Sequence, residues 1–162
     1  PEIPTSMKLC QIRSMIISMV IVNCFLFNSC SKDEDYSERD DKSIREYLQK
    51  KSLTAQKTES GLYYIITVPG NSQKPDLNSM VTVHYKGYFL DDAVFESSYS
   101  GSAPTFPLSG VLKGWQEGMQ LFGKGGKGTL FIPSRLAYGD SALPGIPANS
   151  VLIFDIHLIN IE

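Results

Sequence analysis

Cysteine is scarce in this chain of 162 residues, and all three cysteines lie within the first 30 positions. The rest of the sequence therefore has no disulfide, no thiol nucleophile and no cysteine-based zinc site. Histidine is nearly as rare, since only His84 and His157 occur. Two histidines so far apart are more typical of solvent-side or hydrogen-bonded residues than of a catalytic pair. We expect no metal and no cofactor.

Net charge and long apolar runs are also lacking. The formal net charge is -2 at pH 7, which gives no basic surface for a nucleic-acid backbone. The longest apolar run, residues 15–27, has 13 residues with three polar or cysteine interruptions, whereas about 20 are needed to span a bilayer. With 42% hydrophobic and 20% charged residues, the composition predicts one globular domain plus extensions.

The amino-terminal segment has the layout of a secretory signal, with two basic residues and then the apolar run. We predict that residues 1–29 are a signal peptide and that Met7 is its natural start. The small residue before Cys30 at the end of the run resembles the lipobox of bacterial lipoproteins, which implies cleavage before Cys30 and its lipidation. The alternative is an uncleaved membrane-anchoring helix. The predicted location is the bacterial cell envelope, lipid-anchored at the outer membrane.

Residues 30–58 are predicted to be a lipidated acidic linker with a short amphipathic helix. Its acidic start resembles the export tag of surface lipoproteins in Bacteroidetes-type bacteria, although a plain solvated linker fits the composition equally well. Within Tyr36–Lys57, the apolar residues Ile44, Tyr47 and Leu48 share one helical face. Two interpretations stay open: a stem that leans on the domain or holds it off the membrane, and a dimerisation helix.

From Glu59 onward the sequence is dominated by strand patterns separated by turn signals. With one helix and too few connections for parallel crossovers, we expect an α+β domain over residues 59–162. Its sheet should be antiparallel, with one face on the helix and the other toward water. The predicted strands are Leu62–Val68, Met80–Phe89, Ala93–Glu96, Thr105–Leu108, Gly128–Pro133 and Val151–Ile159.

The chain is organised around a short helix predicted at Gly110–Leu121, which contains the only tryptophan. Apolar residues recur there at helical spacings of four and three. A sheet closing over this helix would bury the indole of Trp115 as the floor of a cavity. The members of the stripe are Val111, Trp115, Met119 and Phe122.

Two glycines weaken this predicted helix. Gly114 and Gly118 each cost about 1 kcal/mol relative to alanine, so neighbouring structure must supply the stability. We expect Ser109 or Gly110 to cap its start. The glycine-rich stretch Gly123–Gly128 fits a dinucleotide-binding pattern, but it follows a helix and precedes a strand, which is the wrong context. It is interpreted as a flexible turn.

A loop at Leu136–Ser150 separates the last two strands. Loops of this length inside a compact domain are usually functional. Its apolar residues Leu143 and Ile146 are expected to cover something.

Six separated blocks along residues 60–162 share a pattern with one known family: Val83–Gly87, Phe95–Ser98, Gly110–Gly118, Leu136–Gly139, Pro144–Pro147 and Leu152–Ile156. In this order they resemble the FKBP-type peptidyl-prolyl cis-trans isomerases, and especially their envelope-located, Mip-like bacterial members. The resemblance implies a strongly twisted antiparallel sheet wrapped around one short helix. It also implies isomerisation of Xaa-Pro bonds, with proline-containing polypeptides as substrates and macrolide inhibitors as candidate ligands.

The resemblance assigns the pocket. Trp115 is expected under the proline ring, with Tyr138 donating its hydroxyl to the substrate carbonyl and Glu96 contacting the tyrosine and the substrate backbone. These three are the predicted catalytic residues. The remaining expected substrate-binding residues are Tyr85, Phe95, Phe106, Val111, Leu112, Ile146 and Phe154.

Three departures from the family pattern bear on activity. The family usually has aspartate where this chain has Glu96, which is one methylene longer. Pro104 replaces a frequent aromatic residue, and the loop after Leu108 is shorter, which affects substrate preference and macrolide affinity. Leu143 lies at a position that helps set substrate range. We therefore keep an alternative to the isomerase: a chaperone or binding module of the same fold with little catalysis.

Overall fold

The computed structural model describes residues 32–162, with side chains described from Tyr36 onward, and Asp33–Glu162 form one compact unit. This part of the chain contains two α-helices and seven strands. The helices are α1 (Lys32–Lys50) and α2 (Lys113–Met119). The strands are β1 (Gln56–Lys57), β2 (Tyr63–Val68), β3 (Met80–Tyr88), β4 (Val94–Ser97), β5 (Thr105–Pro107), β6 (Lys127–Ile132) and β7 (Leu152–Ile161).

All seven strands belong to one antiparallel sheet. Its order is β1-β2-β6-β7-β3-β4, in which β4 pairs with the end of β3, and β5 pairs with the beginning of β3. The two long strands β3 and β7 pair at the centre over most of their length. The antiparallel α+β architecture expected from the sequence is confirmed.

The main core lies between the sheet and α2. On β3 the predicted alternation is confirmed, because Val81, Val83 and Tyr85 are buried while the residues between them are half-buried. The predicted helical stripe also points into this core, with Trp115, Met119 and Phe122 buried and Val111 half-buried. Spacing in the sequence therefore identified the inner faces of both elements.

The two glycines of α2 let the helix lie directly against β6. A Cβ atom on Gly114 would come within 2.5 Å of Ile132 Cγ2, and one on Gly118 within 2.5 Å of Leu130 Cδ1. Both β6 side chains are fully buried, so neither has free space to move into. Glycine is needed at both positions, despite its low helix propensity, because the helix lies so close to the sheet. The packing of helix on sheet supplies the stability that local propensity lacks.

We expect Gly118→Ala to lower the free energy of unfolding, although alanine is the better helix former by about 1 kcal/mol. Overpacking against Leu130 should cost about 1–3 kcal/mol and leave the protein less stable than the parent. Chemical denaturation of the two proteins measures the difference. Gln120→Ala is the control: Gln120 lies just after the same helix and is exposed, so its replacement should change stability little. Equal or greater stability of Gly118→Ala would contradict the packing argument.

The second face of the sheet was expected to meet water. That expectation is wrong for part of the face, because α1 packs on it. Ile44, Tyr47 and Leu48 of α1 are buried there. The shared apolar face of this helix is therefore confirmed as a packing face. The sheet side of this second core consists of Tyr63, Phe131, Val151 and Ile153.

Two tyrosines at the interface between α1 and the sheet, Tyr47 and Tyr88, make the stability sensitive to alkaline pH. Burial, together with the hydrogen bond that Tyr47 donates to Asp92 Oδ1 (2.8 Å), raises the pKa of Tyr47 to about 12. Burial and the nearby carboxylate of Asp155 also raise the pKa of Tyr88. An unfolded tyrosine titrates near pH 10.

We therefore expect the free energy of unfolding to fall as pH rises from about 10 to 12, because the unfolded chain then loses protons that the folded chain keeps. Below pH 10 both states hold these protons and this contribution is constant. Denaturation curves at pH 9, 10 and 11 measure the slope. Tyr47→Phe should reduce it, and a stability that is flat across this range in the parent would contradict the assignment.

The helix ends differ from the predictions. The central helix begins at Lys113, with Leu112 as its N-cap and no side-chain cap, so the expected cap by Ser109 or Gly110 is wrong. Those two residues belong instead to a 3-10 turn, Leu108–Gly110. Helix α1 ends at Lys50, and the two-residue strand β1 follows, which the sequence analysis did not predict.

The glycine-rich stretch connects α2 to β6 as a hydrogen-bonded turn. The Gly123 amide donates to Pro69 O (2.8 Å), and the Lys124 amide donates to Gln73 O (2.9 Å). A Cβ atom on Gly123 would lie 1.8 Å from Asn71 O, which explains why only glycine fits. The stretch thus serves a close backbone approach.

The predicted signal peptide and the lipidation at Cys30 lie outside the described residues. Between residues 32 and 162, neither helix combines the length and the apolar content that crossing a bilayer requires. The same part of the chain contains no group of three or more His, Cys, Asp or Glu side chains arranged to hold a metal ion.

Candidate active site

A cavity of about 580 Å³ opens between α2, the inner face of the sheet and the start of the Ala137–Ser150 loop. Apolar and aromatic side chains form most of its wall, and a few polar groups converge on it, which is the usual make-up of a small-ligand site. Its lining residues are Tyr85, Glu96, Phe106, Gly110, Val111, Leu112, Lys113, Trp115, Gln116, Ala137, Tyr138 and Phe154.

Trp115 is the centre of an aromatic box. Three rings stand nearly perpendicular to its indole: Tyr85 at 5.2 Å and 86°, Phe154 at 5.3 Å and 87°, and Phe106 at 6.2 Å and 89°. Edge-to-face contacts of this kind fix ring orientation as well as burying area. The indole is therefore held rigidly at the pocket wall, only 4% exposed.

The indole N–H of Trp115 is buried and has no oxygen or nitrogen partner among the described residues. A buried polar group without a partner is costly.

Two tyrosines bring hydroxyl groups to the pocket. The Tyr85 hydroxyl donates to Glu96 Oε1 at 2.7 Å, and burial and this hydrogen bond raise the pKa of Tyr85. Burial and the Glu96 charge also raise the pKa of Tyr138. Both hydroxyls are therefore protonated at neutral pH. In the described part of the chain the Tyr138 hydroxyl makes no hydrogen bond, so it can donate to a ligand.

The longer side chain of Glu96 still reaches Tyr85. Glu96 sits on β4 opposite Gly87 of β3, and a Cβ on Gly87 would lie 2.6 Å from Phe95 Cζ. The glycine therefore leaves room for Phe95 to fold over the strand behind the pocket. The carboxylate keeps its contact with the tyrosine despite the extra methylene.

The structure brings eight of the ten predicted site residues into the cavity wall. Phe95 and Ile146 are not part of that wall. Phe95 packs behind it, against Phe154 at 5.6 Å and Phe89 at 4.9 Å. Ile146 is half-buried against the main core from the loop. Phe95 therefore supports the pocket wall from behind.

Four lining residues were missed by the sequence analysis: Gly110, Lys113, Gln116 and Ala137. Gln116 has a visible task, because its Nε2 donates to Val111 O (2.8 Å) and Ser109 O (3.2 Å). It thereby fixes the segment that enters α2. Helical spacing could have identified it, since residue 116 follows Leu112 by one turn.

The long loop meets the pocket at its start. Tyr138 is 37% exposed at the rim, while Leu143 is 40% exposed further along. Leu143 and Ile146 form an isolated two-residue bridge within the loop. Among the described residues Leu143 belongs to neither core cluster, so the expectation that it covers something is not met there.

A second cavity, of about 280 Å³, lies between α1 and the segment after β1 and contains no predicted site residue. Its wall is charged. Burial opposes ionisation of Asp41 there, but hydrogen bonds from Lys57 and Tyr63 outweigh it and hold the pKa of Asp41 below its usual value. These groups already satisfy one another.

The two histidines are cross-strand neighbours on β3 and β7, although they are far apart in sequence. They lie on the face of β3 opposite Tyr85 and thus outside the pocket. His84 Nδ1 is 3.1 Å from Ser98 Oγ, and its ring stacks on Tyr99 at 4.9 Å. The hydrogen-bonded interpretation is therefore right for His84.

Solved peptidyl-prolyl cis-trans isomerases are similar to this chain in overall fold. The crystal structure of FkpA from Escherichia coli aligns with a TM-score of 0.70 at 32% identity, covering 97% of this chain and 71% of that one. The peptidyl-prolyl cis-trans isomerase of Pseudomonas syringae aligns at 0.66 and 30% identity, covering 78% and 96%.

Residues 71–159 match the model of the FKBP-type peptidyl-prolyl cis-trans isomerase family. The chain belongs to this family. A curated relative, the FKBP-type peptidyl-prolyl cis-trans isomerase FkpA of Aeromonas hydrophila, is 44% identical over 133 residues, which are 80% of this chain and 49% of the relative. The chain spans about half the length of the curated relatives it matches first.

Proposed function

We propose that this chain catalyses cis-trans isomerisation of Xaa-Pro peptide bonds and so assists the folding of exported or envelope proteins. The observation that carries the proposal is the aromatic box around Trp115. The box forms part of the wall of the 580 Å³ cavity, and the hydroxyl of Tyr138, which has no hydrogen-bond partner among the described residues, lies at its rim.

The reaction breaks no covalent bond, so it needs no nucleophile, metal or acid-base pair. Its barrier is the loss of amide resonance as the C–N bond rotates, about 18–20 kcal/mol for ordinary peptide bonds. A catalyst must bind the twisted amide better than the planar one. An apolar pocket achieves this by depriving the more polar planar amide of water.

Each pocket residue has a separate role in binding the twisted amide. The indole of Trp115 supports the proline ring, and Tyr85, Phe106 and Phe154 enclose it. The Tyr138 hydroxyl donates to the substrate carbonyl as it turns. Glu96 holds the Tyr85 hydroxyl, which keeps that ring in place against the indole.

We expect Tyr138→Phe to lower kcat/KM about threefold to tenfold, the range expected when one neutral hydrogen bond to the transition state is lost. A protease-coupled assay with a short Xaa-Pro peptide measures it on the full chain. Tyr64→Phe is the matched control, because the Tyr64 hydroxyl bonds Gln56 Oε1 away from the pocket. No difference between the two variants would remove Tyr138 from the mechanism. No activity in a folded parent would defeat the proposed function and favour the binding-module alternative.

The proposal includes location and ligands. The apolar run of residues 15–27 followed by Cys30 supports export and lipid attachment at that cysteine, as in a Mip-like envelope lipoprotein. Mass spectrometry of the protein from a bacterial host, compared with Cys30→Ser, tests the acylation. The same pocket is proposed to accept macrolide inhibitors, which would compete with the peptide.

A further inference from the structure

Helix α1 contacts both ends of the loop that carries Tyr138. At one end, Asp40 Oδ2 accepts hydrogen bonds from the amide (2.8 Å) and the hydroxyl (2.6 Å) of Ser134. At the other end, Arg39 Nη2 donates to Asn149 O at 2.6 Å. The same guanidinium pairs with Asp40 Oδ1, at 2.6 Å from Nη2 and 3.1 Å from Nε. One pair of adjacent helix residues thus joins the two loop ends.

The contacts continue from Ser134 to the rim of the pocket. Ser134 begins a 3-10 turn, Ser134–Leu136, that ends directly before the pocket residues. Its carbonyl oxygen accepts the amides of Ala137 (3.0 Å) and Gly139 (2.8 Å), the two neighbours of Tyr138. The Gly139 carbonyl in turn accepts the amide of Asn149 at 2.6 Å. The backbone on each side of Tyr138 is therefore fixed to residues that α1 holds.

Because both partners of the Asp40–Ser134 contact are buried, losing either one is costly. Asp40 and Ser134 are each only 1% exposed. A buried carboxylate is tolerated when it is paired and hydrogen-bonded, and its removal would leave the Ser134 donors without a partner. The segment would then move to find new partners. A displacement of about 1 Å at a catalytic group is enough to reduce rates strongly.

We infer that Asp40, assisted by Arg39, is a positioning residue that holds the Tyr138 segment over the pocket, so that α1 is a brace for the active site. This inference rests on the proposed function for its kinetic consequence, and on the hydrogen bonds alone for its structural one. It assigns a catalytic purpose to a helix that lies outside the residues matched by the family model.

The kinetic test compares Asp40→Ala, Asp40→Asn and the parent as full chains in the protease-coupled assay. We expect Asp40→Ala to lower kcat about fivefold to tenfold with little change in KM, because a misplaced donor weakens transition-state contacts more than ground-state binding. Asp40→Asn retains an oxygen that can accept from Ser134 and should restore part of the loss. Ile66→Ala, on strand β2, is the control for general destabilisation, since β2 contributes nothing to the cavity wall or to the loop contacts of α1.

Combining the change with Tyr138→Phe separates positioning from stability. If Asp40 acts through the tyrosine hydroxyl, Asp40→Ala should have little further effect in the Tyr138→Phe background. Full additivity of the two changes, or an Asp40→Ala protein that is folded and has the kinetics of the parent, would overturn the inference.

Amide hydrogen exchange gives a second readout that needs no activity. The amides of Ala137 and Gly139 should exchange faster in Asp40→Ala than in Ile66→Ala at matched stability. Unchanged exchange at these two amides would overturn the inference even if activity were lost. Conversely, a parent without isomerase activity would defeat the proposed function, while faster exchange would still support the brace.

Discussion

Replacing Trp115 by alanine is expected to lower kcat/KM about 10- to 100-fold, because burying an apolar ring on its face is worth about 1.5–3 kcal/mol. The indole is the surface on which the three perpendicular rings converge. Its removal also releases Tyr85 and Phe154 from their fixed orientations. The protease-coupled assay with a short Xaa-Pro peptide measures the loss.

Stability must be controlled in this experiment, since truncating a buried tryptophan costs about 3–5 kcal/mol. Trp115→Phe keeps an aromatic floor and should retain more activity than Trp115→Ala. Assays at low temperature, with folding verified by circular dichroism, compare the two under conditions where both are native. Activity of folded Trp115→Ala equal to that of the parent would exclude the indole as the floor of the site.

Ile44→Ala is expected to lower the free energy of unfolding by about 2–5 kcal/mol, as for other fully buried large-to-small changes. Ile44 is completely buried between α1 and the sheet, in the cluster that contains Phe131 and Ile153. Denaturant titration followed by tyrosine and tryptophan fluorescence measures the change. A large effect would establish that α1 is part of the folded unit.

The control lies on the same helix. Lys42 is exposed and makes only a 3.9 Å ion pair with Glu46, so Lys42→Ala should change stability by less than about 0.5 kcal/mol. If Ile44→Ala changed the free energy of unfolding as little as Lys42→Ala, α1 would not be stably docked in solution. The inference on Asp40 would then lose its structural basis.

Periodicity predicted the inner faces of the fold because those residues meet a single environment. The alternation of β3 and the four-three spacing around Trp115 each describe one buried face, and the structure buries them as expected. The helix cap failed for a local reason. Ser109 and Gly110 are used in a separate 3-10 turn, which leaves Leu112 to begin the helix.

The sequence analysis left open that this helix leans on the domain, but it expected the outer sheet face to meet water and did not predict that α1 covers it, although the sequence contains a signal for the cover. Consecutive apolar residues in β6 and β7, such as Leu130–Ile132 and Leu152–Phe154, indicate strands buried on both faces. Alternation alone does not identify which distant helix supplies the cover. The packing of Tyr47 of α1 on Phe131 of β6, with ring centroids 6.0 Å apart, is a tertiary contact that no local pattern encodes.

The pocket was predicted by resemblance more than by chemistry, because isomerisation leaves no signature of nucleophiles or metal ligands in a sequence. Of the ten residues that the resemblance assigned to the pocket, eight line the cavity wall, whereas Phe95 and Ile146 do not. It also gave no indication that Asp40, almost a hundred positions before Tyr138, is linked to it through Ser134.

The central claim is catalysis of Xaa-Pro rotation, and exchange spectroscopy by NMR tests it most directly. The cis and trans signals of a short proline peptide exchange slowly by themselves, over tens of seconds or longer. With a small amount of the full chain, we expect faster exchange at an unchanged cis-to-trans ratio, and much slower exchange with Trp115→Ala than with the parent. An exchange rate that the folded parent leaves unchanged would show that the chain does not catalyse this rotation.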